Sequence, residues 1–170
     1  LEDLYKTFLE DRYRLMRVNP PTAELIKYAN NAFLATKISL MNTIANICER
    51  IPHVDIVKVA DAVGIDPRIG PRFLRAGIGF GGSCLPKDLR GLVAFAEARG
   101  YRASLLKAVS EVNRNQCQRV FELAKSVLGR LERRRIAILG LAFKPGTDDI
   151  REAPSRSLIR LFLNARAKVI

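Results

Sequence analysis

Leu34-Ala-Thr-Lys-Ile-Ser-Leu-Met-Asn-Thr-Ile-Ala-Asn-Ile-Cys48 is the stretch on which the fold turns. Leu34, Ile38, Met41, Ala45 and Cys48 recur at steps of three and four, and Leu40, Ile44, Ile47 and Ile51 make a second such row. At 3.6 residues per turn the two rows form one wide apolar stripe. Neither Gly nor Pro interrupts residues 22–50. One helix is therefore expected from Thr22 to about Arg50, roughly 40 Å long at 1.5 Å per residue. That is long for a small domain. It suits a spine between two lobes, or a helix packed against a second subunit.

Upstream, a short helix is expected from Leu4 to Asp11 and an extended piece around Leu15 to Val18, with Asn19-Pro20-Pro21 as a boundary, because proline and its predecessor resist helix continuation. Downstream, Pro52 stops the spine. A helix over Val54–Val63 is expected to close on Gly64 as its C-terminal cap. A loop from Asp66-Pro67 to Cys84 leads to a helix with Pro86 in its first turn, ending near Gly100. Ser104 to Leu128 reads as another long helix, ended by Gly129. The composition then changes. Ile136-Ala-Ile-Leu-Gly140 is a short apolar run, expected to be a buried parallel strand. A helix over Ser155–Ala165 and the first residues of a second strand at Lys168-Val-Ile170 follow. Strand, loop, helix and strand begin a βαβ unit.

A chain of 170 residues, 48% hydrophobic, is one domain or one domain plus part of another, with enough apolar side chains for a core. No apolar run approaches 18 residues, so no membrane helix is expected. Leu1-Glu-Asp-Leu4 carries early acids and no signal-peptide pattern, and the missing initiator Met suggests a piece of a longer chain. Cys48, Cys84 and Cys117 form neither a CxxC pair nor a zinc spacing, and His53 is the only histidine. That argues against a metal site and against a Ser-His-Asp triad, and points to a reducing, cytoplasmic setting. Cys48 and Cys117 read as core filler, His53 as an exposed turn residue. The net charge of +12 favours anionic partners. No helix-turn-helix, RNP motif or basic-aromatic run accompanies it, so nucleic acid is not expected as a partner.

The chemistry concentrates in Gly77-Ile-Gly-Phe-Gly-Gly-Ser-Cys84-Leu-Pro-Lys-Asp88. Four glycines in six positions allow positive φ and close approach of a ligand to the backbone. Cys84 falls just before a helix whose N-terminus favours a thiolate, with Lys87 adding positive charge. Asp88 lies one turn beyond, where it can orient a Lys or a water. The bland alternative is a glycine-rich turn with an inert cysteine. Lys27 and Asn31 share one helix face by their i, i+4 spacing, which on the residues alone an exposed polar face explains better.

Gly79-Phe-Gly-Gly-Ser-Cys-Leu-Pro-Lys-Asp88 resembles the active-site signature of the UDP-glucose/GDP-mannose dehydrogenase family. Glu24-Leu-Ile-Lys-Tyr-Ala-Asn-Asn31 resembles the start of that family's central helix, and Asp66-Pro-Arg-Ile-Gly70 the loop before its cysteine. Ile138-Leu-Gly-Leu-Ala-Phe-Lys144, continuing Pro-Gly-Thr-Asp-Asp-Ile-Arg151, resembles the entry to its C-terminal nucleotide-binding domain. The four motifs stand in family order.

The resemblance implies NAD-dependent, two-step oxidation of a sugar C6 alcohol to a carboxylate. Cys84 would be the nucleophile, passing through a thiohemiacetal and a thioester. Lys27 and Asn31 would stabilise the oxyanion, and Asp88 would work with the Lys and a water. Gly79, Phe80, Gly81, Gly82 and Ser83 would wrap the nucleotide-sugar, and Lys144 would contact the substrate. Arg151 would contact NAD phosphate. Arg68 would reach into a neighbouring subunit's site, which makes a homodimer part of the active site. UDP-glucose is favoured by Asp66-Pro-Arg-Ile-Gly70, although Leu85-Pro and Gly146-Thr-Asp-Asp are similar to GDP-mannose dehydrogenases too. The implied fold is mainly α: a long-helix central dimerisation domain, then the first strand and helix of a truncated Rossmann-like α/β domain. Residues 1–20 would be the tail of an NAD-binding domain, 21–131 the central domain and 132–170 the start of the UDP-binding domain. No GxGxxG follows a strand in this chain. It is therefore expected not to turn over UDP-glucose alone, and a non-catalytic dimerisation module is the competing expectation.

Overall fold

The computed structural model describes residues 2–9 and 15–170. Its elements are α1 (Glu2–Leu9), α2 (Pro20–Cys48), α3 (Ile56–Ile65), α4 (Leu85–Glu97), α5 (Ser104–Leu128), β1 (Arg135–Ile136), α6 (Pro154–Asn164) and β2 (Lys168–Val169). The last two residues of the expected first helix, Glu10 and Asp11, lie outside the described residues.

The spine begins earlier than its periodicity suggests. Asn19 caps α2 by accepting the Thr22 N–H at 3.0 Å, and Pro20 and Pro21 occupy the first turn. A proline there loses no helical hydrogen bond, so the Asn-Pro-Pro boundary is the start of the spine itself. The two apolar rows separate in the fold. Met41 and Cys48 of the first row are buried, whereas Leu40, Ile47 and Ile51 of the second are 56%, 47% and 49% exposed. The buried side of α2 packs on α4 and α5. Ala32 and Ala35 let the helices approach, and Phe80, Leu89 and Val109 fill the space between them.

Asp55 caps α3 through the Val57 N–H. Gly64 does not end this helix. It lies inside the last turn, where a Cβ would stand 3.0 Å from Pro71 Cα and 3.3 Å from Leu74 Cδ1. Its smallness serves packing against the following loop, and the helix runs one residue further to Ile65. Met41, Ala60 and Leu74 form the small core there.

β1 and β2 pair in parallel, Arg135 opposite Lys168 and Ile136 opposite Val169. The Ile138 N–H donates to Ile170 O at 2.9 Å and prolongs the pairing. The expected buried strand over residues 136–140 is thus corrected: it is short, and Leu139 is 95% exposed. With one neighbouring strand and one covered face, only Ile136 and Ile138 pack inward, joining Cys117, Leu131, Leu158 and Phe162. α6 holds this layer to α5, with the Phe121 and Phe162 rings 5.6 Å apart. The whole is mainly helical with the beginning of an α/β unit, which is the expected class. Cys48 and Cys117 are buried free thiols, and His53 sits exposed in its turn. Among the described residues no helix is long and apolar enough to cross a membrane.

Candidate active site

Cys84 is the N-cap of α4 and is exposed, with Ser83 Oγ 3.7 Å from its sulfur. Pro86 sits in the first turn, and the Asp88 N–H donates to the Cys84 carbonyl at 2.9 Å, closing that turn. The exposed sulfur therefore sits at the positive end of the helix dipole. The Asp88 side chain is fully buried. The Lys27 ammonium and the Asn31 amide both donate to its Oδ2. Lys87 Nζ lies 3.2 Å from Oδ1 as an ion pair, without the alignment of a hydrogen bond, so Oδ1 has no hydrogen-bond partner.

Burial pushes the Asp88 carboxyl up, but the hydrogen bonds from Lys27 and Asn31, with the Lys87 ammonium beside Oδ1, outweigh it and hold the group below the ordinary carboxylate value. Lys27 is raised, first by its hydrogen bond to Asp88. Both stay charged at neutral pH. Asp88 is a fixed anion that sets Lys27 and Asn31 side by side, one turn apart on α2. Lys27 remains 53% exposed, which leaves ammonium protons for a ligand.

The loop before Cys84 is gripped by two remote segments. From α5, Asn113 accepts the Phe80 N–H at 2.7 Å and donates to the Phe80 carbonyl at 3.0 Å. From the segment before α6, the Arg151 carbonyl accepts the Gly82 N–H at 2.8 Å. A Cβ at Gly81 would fall 2.3 Å from Glu152 O, and one at Gly82 2.7 Å from the Phe143 ring. These glycines permit close approach of the protein to itself. Phe80 has its ring in the core among Ala32, Leu89 and Val109, and Asn113 takes both its backbone N–H and its carbonyl. Gly77 N–H donates to the buried Asn42. Neither Asn42 nor Asn113 stood out in the sequence: each is a polar residue within a helical pattern, and its partner lies more than 30 positions away.

Arg151 is held by Asp149 through its backbone N–H, Nε and Nη2, at 2.8 to 3.1 Å. Its basicity is raised first by Asp149 and, in smaller part, by Cys84, which acts on Lys27 in the same direction. Lys144 is exposed beside Phe143, 5.4 Å from the centre of the ring that rests on Gly82. Cys84, Lys27, Asn31, Asp88, Lys144 and Arg151 are thus gathered around one loop. Arg68 is not gathered there. Asp66 holds it locally, and Lys37 stakes its turn to α2 through the Ile69 and Gly70 carbonyls. Lys37 is ten residues from Lys27, about 15 Å along the helix. A cavity of about 190 Å³ between Asn113, Arg90 and Glu152 lies behind the loop, not over the cysteine. Among the described residues no group of three His, Cys, Asp or Glu is placed to hold a metal.

The UDP-glucose/GDP-mannose dehydrogenase family matches the chain twice, its central domain over residues 21–115 and its UDP binding domain over residues 137–170. UDP-glucose 6-dehydrogenase TuaD of Bacillus subtilis is 48% identical over 169 residues, covering 99% of this chain and 36% of that protein. UDP-glucose 6-dehydrogenase AglM of Haloferax volcanii is 50% identical over 159 residues, 89% of this chain and 36% of the relative. The solved UDP-glucose dehydrogenase of Pyrobaculum islandicum superposes with a TM-score of 0.92 at 40% identity, covering 99% of this chain and 39% of that one. The chain therefore spans little more than a third of the length of the curated relatives it matches. With its central helices and its βαβ start matched separately and in order, the chain belongs to the UDP-glucose/GDP-mannose dehydrogenase family.

Proposed function

We propose that this chain supplies the cysteine-bearing part of an enzyme that oxidises the C6 alcohol of UDP-glucose to the carboxylate of UDP-glucuronate in two NAD-dependent steps. The observation that carries the reading is the buried Asp88 carboxylate gripping Lys27 and Asn31 beside an exposed Cys84 at a helix N-terminus. NAD, when bound, supplies the hydride acceptor. Arg151 is exposed and pre-held by Asp149, and its free guanidinium edge suits a phosphate of that cofactor. The Cys84 thiolate adds to the C6 aldehyde to give a thiohemiacetal. Lys27 and Asn31 donate to the oxyanion that develops on O6. Loss of hydride from that adduct leaves a thioester, which water cleaves to release the carboxylate and return the thiolate. Asp88 stays ionised throughout, keeping Lys27 and Asn31 aimed and orienting the water. The backbone groups of residues 79–83 that Asn113 and Arg151 leave free, and the exposed Lys144 ammonium, would serve the nucleotide-sugar.

In this reading residues 1–20 end an NAD-binding domain, 21–131 form the central domain and 132–170 open the UDP-binding domain of a cytoplasmic enzyme. The open face of α2, with Phe33, Leu40 and Ile47 exposed, suits a second copy of the chain. The Arg68 turn, away from its own cysteine, would then serve the partner's site. Cys84→Ser in the enzyme that carries this chain is expected to abolish completed two-step NADH formation; wild-type turnover would sink the proposal. The 170-residue chain by itself is expected to make no NADH from UDP-glucose, and steady production by it would overturn that part of the reading.

A further inference from the structure

We propose that Asn113, which touches no reacting atom, is the positioning residue that sets the placement of Cys84. This rests on the reading of Cys84 as the nucleophile. The Asn113 amide makes a two-point clamp on one residue, accepting the Phe80 N–H at 2.7 Å and donating to the Phe80 carbonyl at 3.0 Å. That is the pairing a neighbouring strand would offer, supplied here by a side chain. Gly79 is shaped around the clamp. Its φ is +103°, and a Cβ there would stand 2.8 Å from Asn113 Oδ1. The same face of α5 carries Cys117 one turn on, its sulfur 3.6 Å from the Ile78 carbonyl, so α5 underlies residues 78–80. Beyond Phe80, the fixing of Gly82 to the Arg151 carbonyl is backbone to backbone. Asn113 is therefore the side chain whose identity decides how the four residues after Phe80, up to Cys84, are launched.

Two properties make this positioning chemical. An amide both donates and accepts in the plane of a peptide at any ordinary pH, which a carboxyl does only when protonated. A nucleophile displaced by about 1 Å loses roughly a hundredfold in rate, whereas ground-state binding through other residues persists. Asn113→Leu in the enzyme that carries this chain is thus expected to lower kcat about a hundredfold and to leave KM within about threefold. In the 170-residue chain it should speed hydrogen exchange of the Phe80 amide at least about tenfold, with the amides of α2 unchanged. Asn113→Asp separates positioning from loss of fold. Its carboxylate keeps the acceptor and loses the donor, and its protonated form regains one. The ratio of variant to wild-type kcat, and the protection of the Phe80 amide, should rise toward unity as pH falls through the titration of that carboxyl, because only the protonated form can donate to the Phe80 carbonyl. A kcat within about threefold of wild type for Asn113→Leu, or an Asn113→Asp ratio flat with pH, would overturn the proposal. Cys84→Ser judges the functional reading separately: its activity surviving would sink that reading, whereas unchanged Phe80 exchange in Asn113→Leu would sink this one.

Discussion

Asp66-Pro-Arg68 and Asp149-Ile-Arg151 are two copies of one local device. In each, the carboxylate takes the backbone N–H of the arginine two residues on, at 2.9 and 2.8 Å, and then the Nε and Nη2 of its guanidinium. Each aspartate is held below the ordinary carboxylate value, first by that side chain and then by that backbone N–H. The surroundings differ. Behind Arg151, its own carbonyl binds Gly82, the Glu152 carbonyl fills the space beside Gly81, and Arg90 pairs with Glu152 at 2.8 Å. Behind Arg68, a single Lys37 reaches two carbonyls, and nothing lies within 4 Å of where a Gly70 side chain would stand. The turn chemistry presents a guanidinium in both places. Packing makes one of them move with the cysteine loop and leaves the other at a free end.

The largest test strikes the root of the coupled side. Phe80→Ala empties the core position on which the cysteine loop rests, and about 3–5 kcal/mol of stability should go with it. A urea midpoint shifted by the equivalent of less than about 1 kcal/mol would mean the loop is not rooted there. Next come the paired glycines. Gly81→Ala drives a methyl into the Glu152 carbonyl and should cost about 3 kcal/mol, the upper end for overpacking, because backbone cannot step aside. Gly70→Ala meets only the penalty of a positive φ, about 1 kcal/mol. Equal losses in thermal melts of the two variants would break the comparison. The smallest effect is on pH. A depressed aspartate stabilises above its ordinary value and loses that contribution as pH falls through the folded one. Both turns should therefore be silent between about pH 5 and pH 9 and weaken only below about pH 4. The double variant Asp66→Asn, Asp149→Asn should lose part of the acid limb of the stability curve and leave the neutral region flat; a step near neutrality would contradict it.

Much of this was readable from local pattern. The period of three and four residues marked α2, and the i, i+4 spacing brought Lys27 and Asn31 together before any partner was known. Cys84 before Pro86 announced a helix N-terminus. The misreadings share a cause. The boundary at Asn19-Pro20-Pro21 holds, but the helix starts at Pro20 and not at Thr22, since proline both ends helices and opens them. Gly64 reads as a cap, since a glycine required by Pro71 Cα looks the same in sequence as one required by its own φ. Residues 136–140 read as a buried strand, since an apolar run does not say how many of its faces are covered.

The resemblance of residues 79–88 to a family signature named a chemistry, but not the reason for its glycines. Periodicity, capping and the Asp-X-Arg turns are short-range effects of backbone sterics and neighbouring hydrogen bonds, and the chain writes them in order. The burial of Asp88 under Lys27, the clamp of Asn113 on Phe80 and the seating of Gly81 against Glu152 join residues 33 to 71 positions apart. Those contacts exist only once α2, α4, α5 and the segment before α6 are close-packed, because packing is a property of the assembled interior and no single segment encodes it.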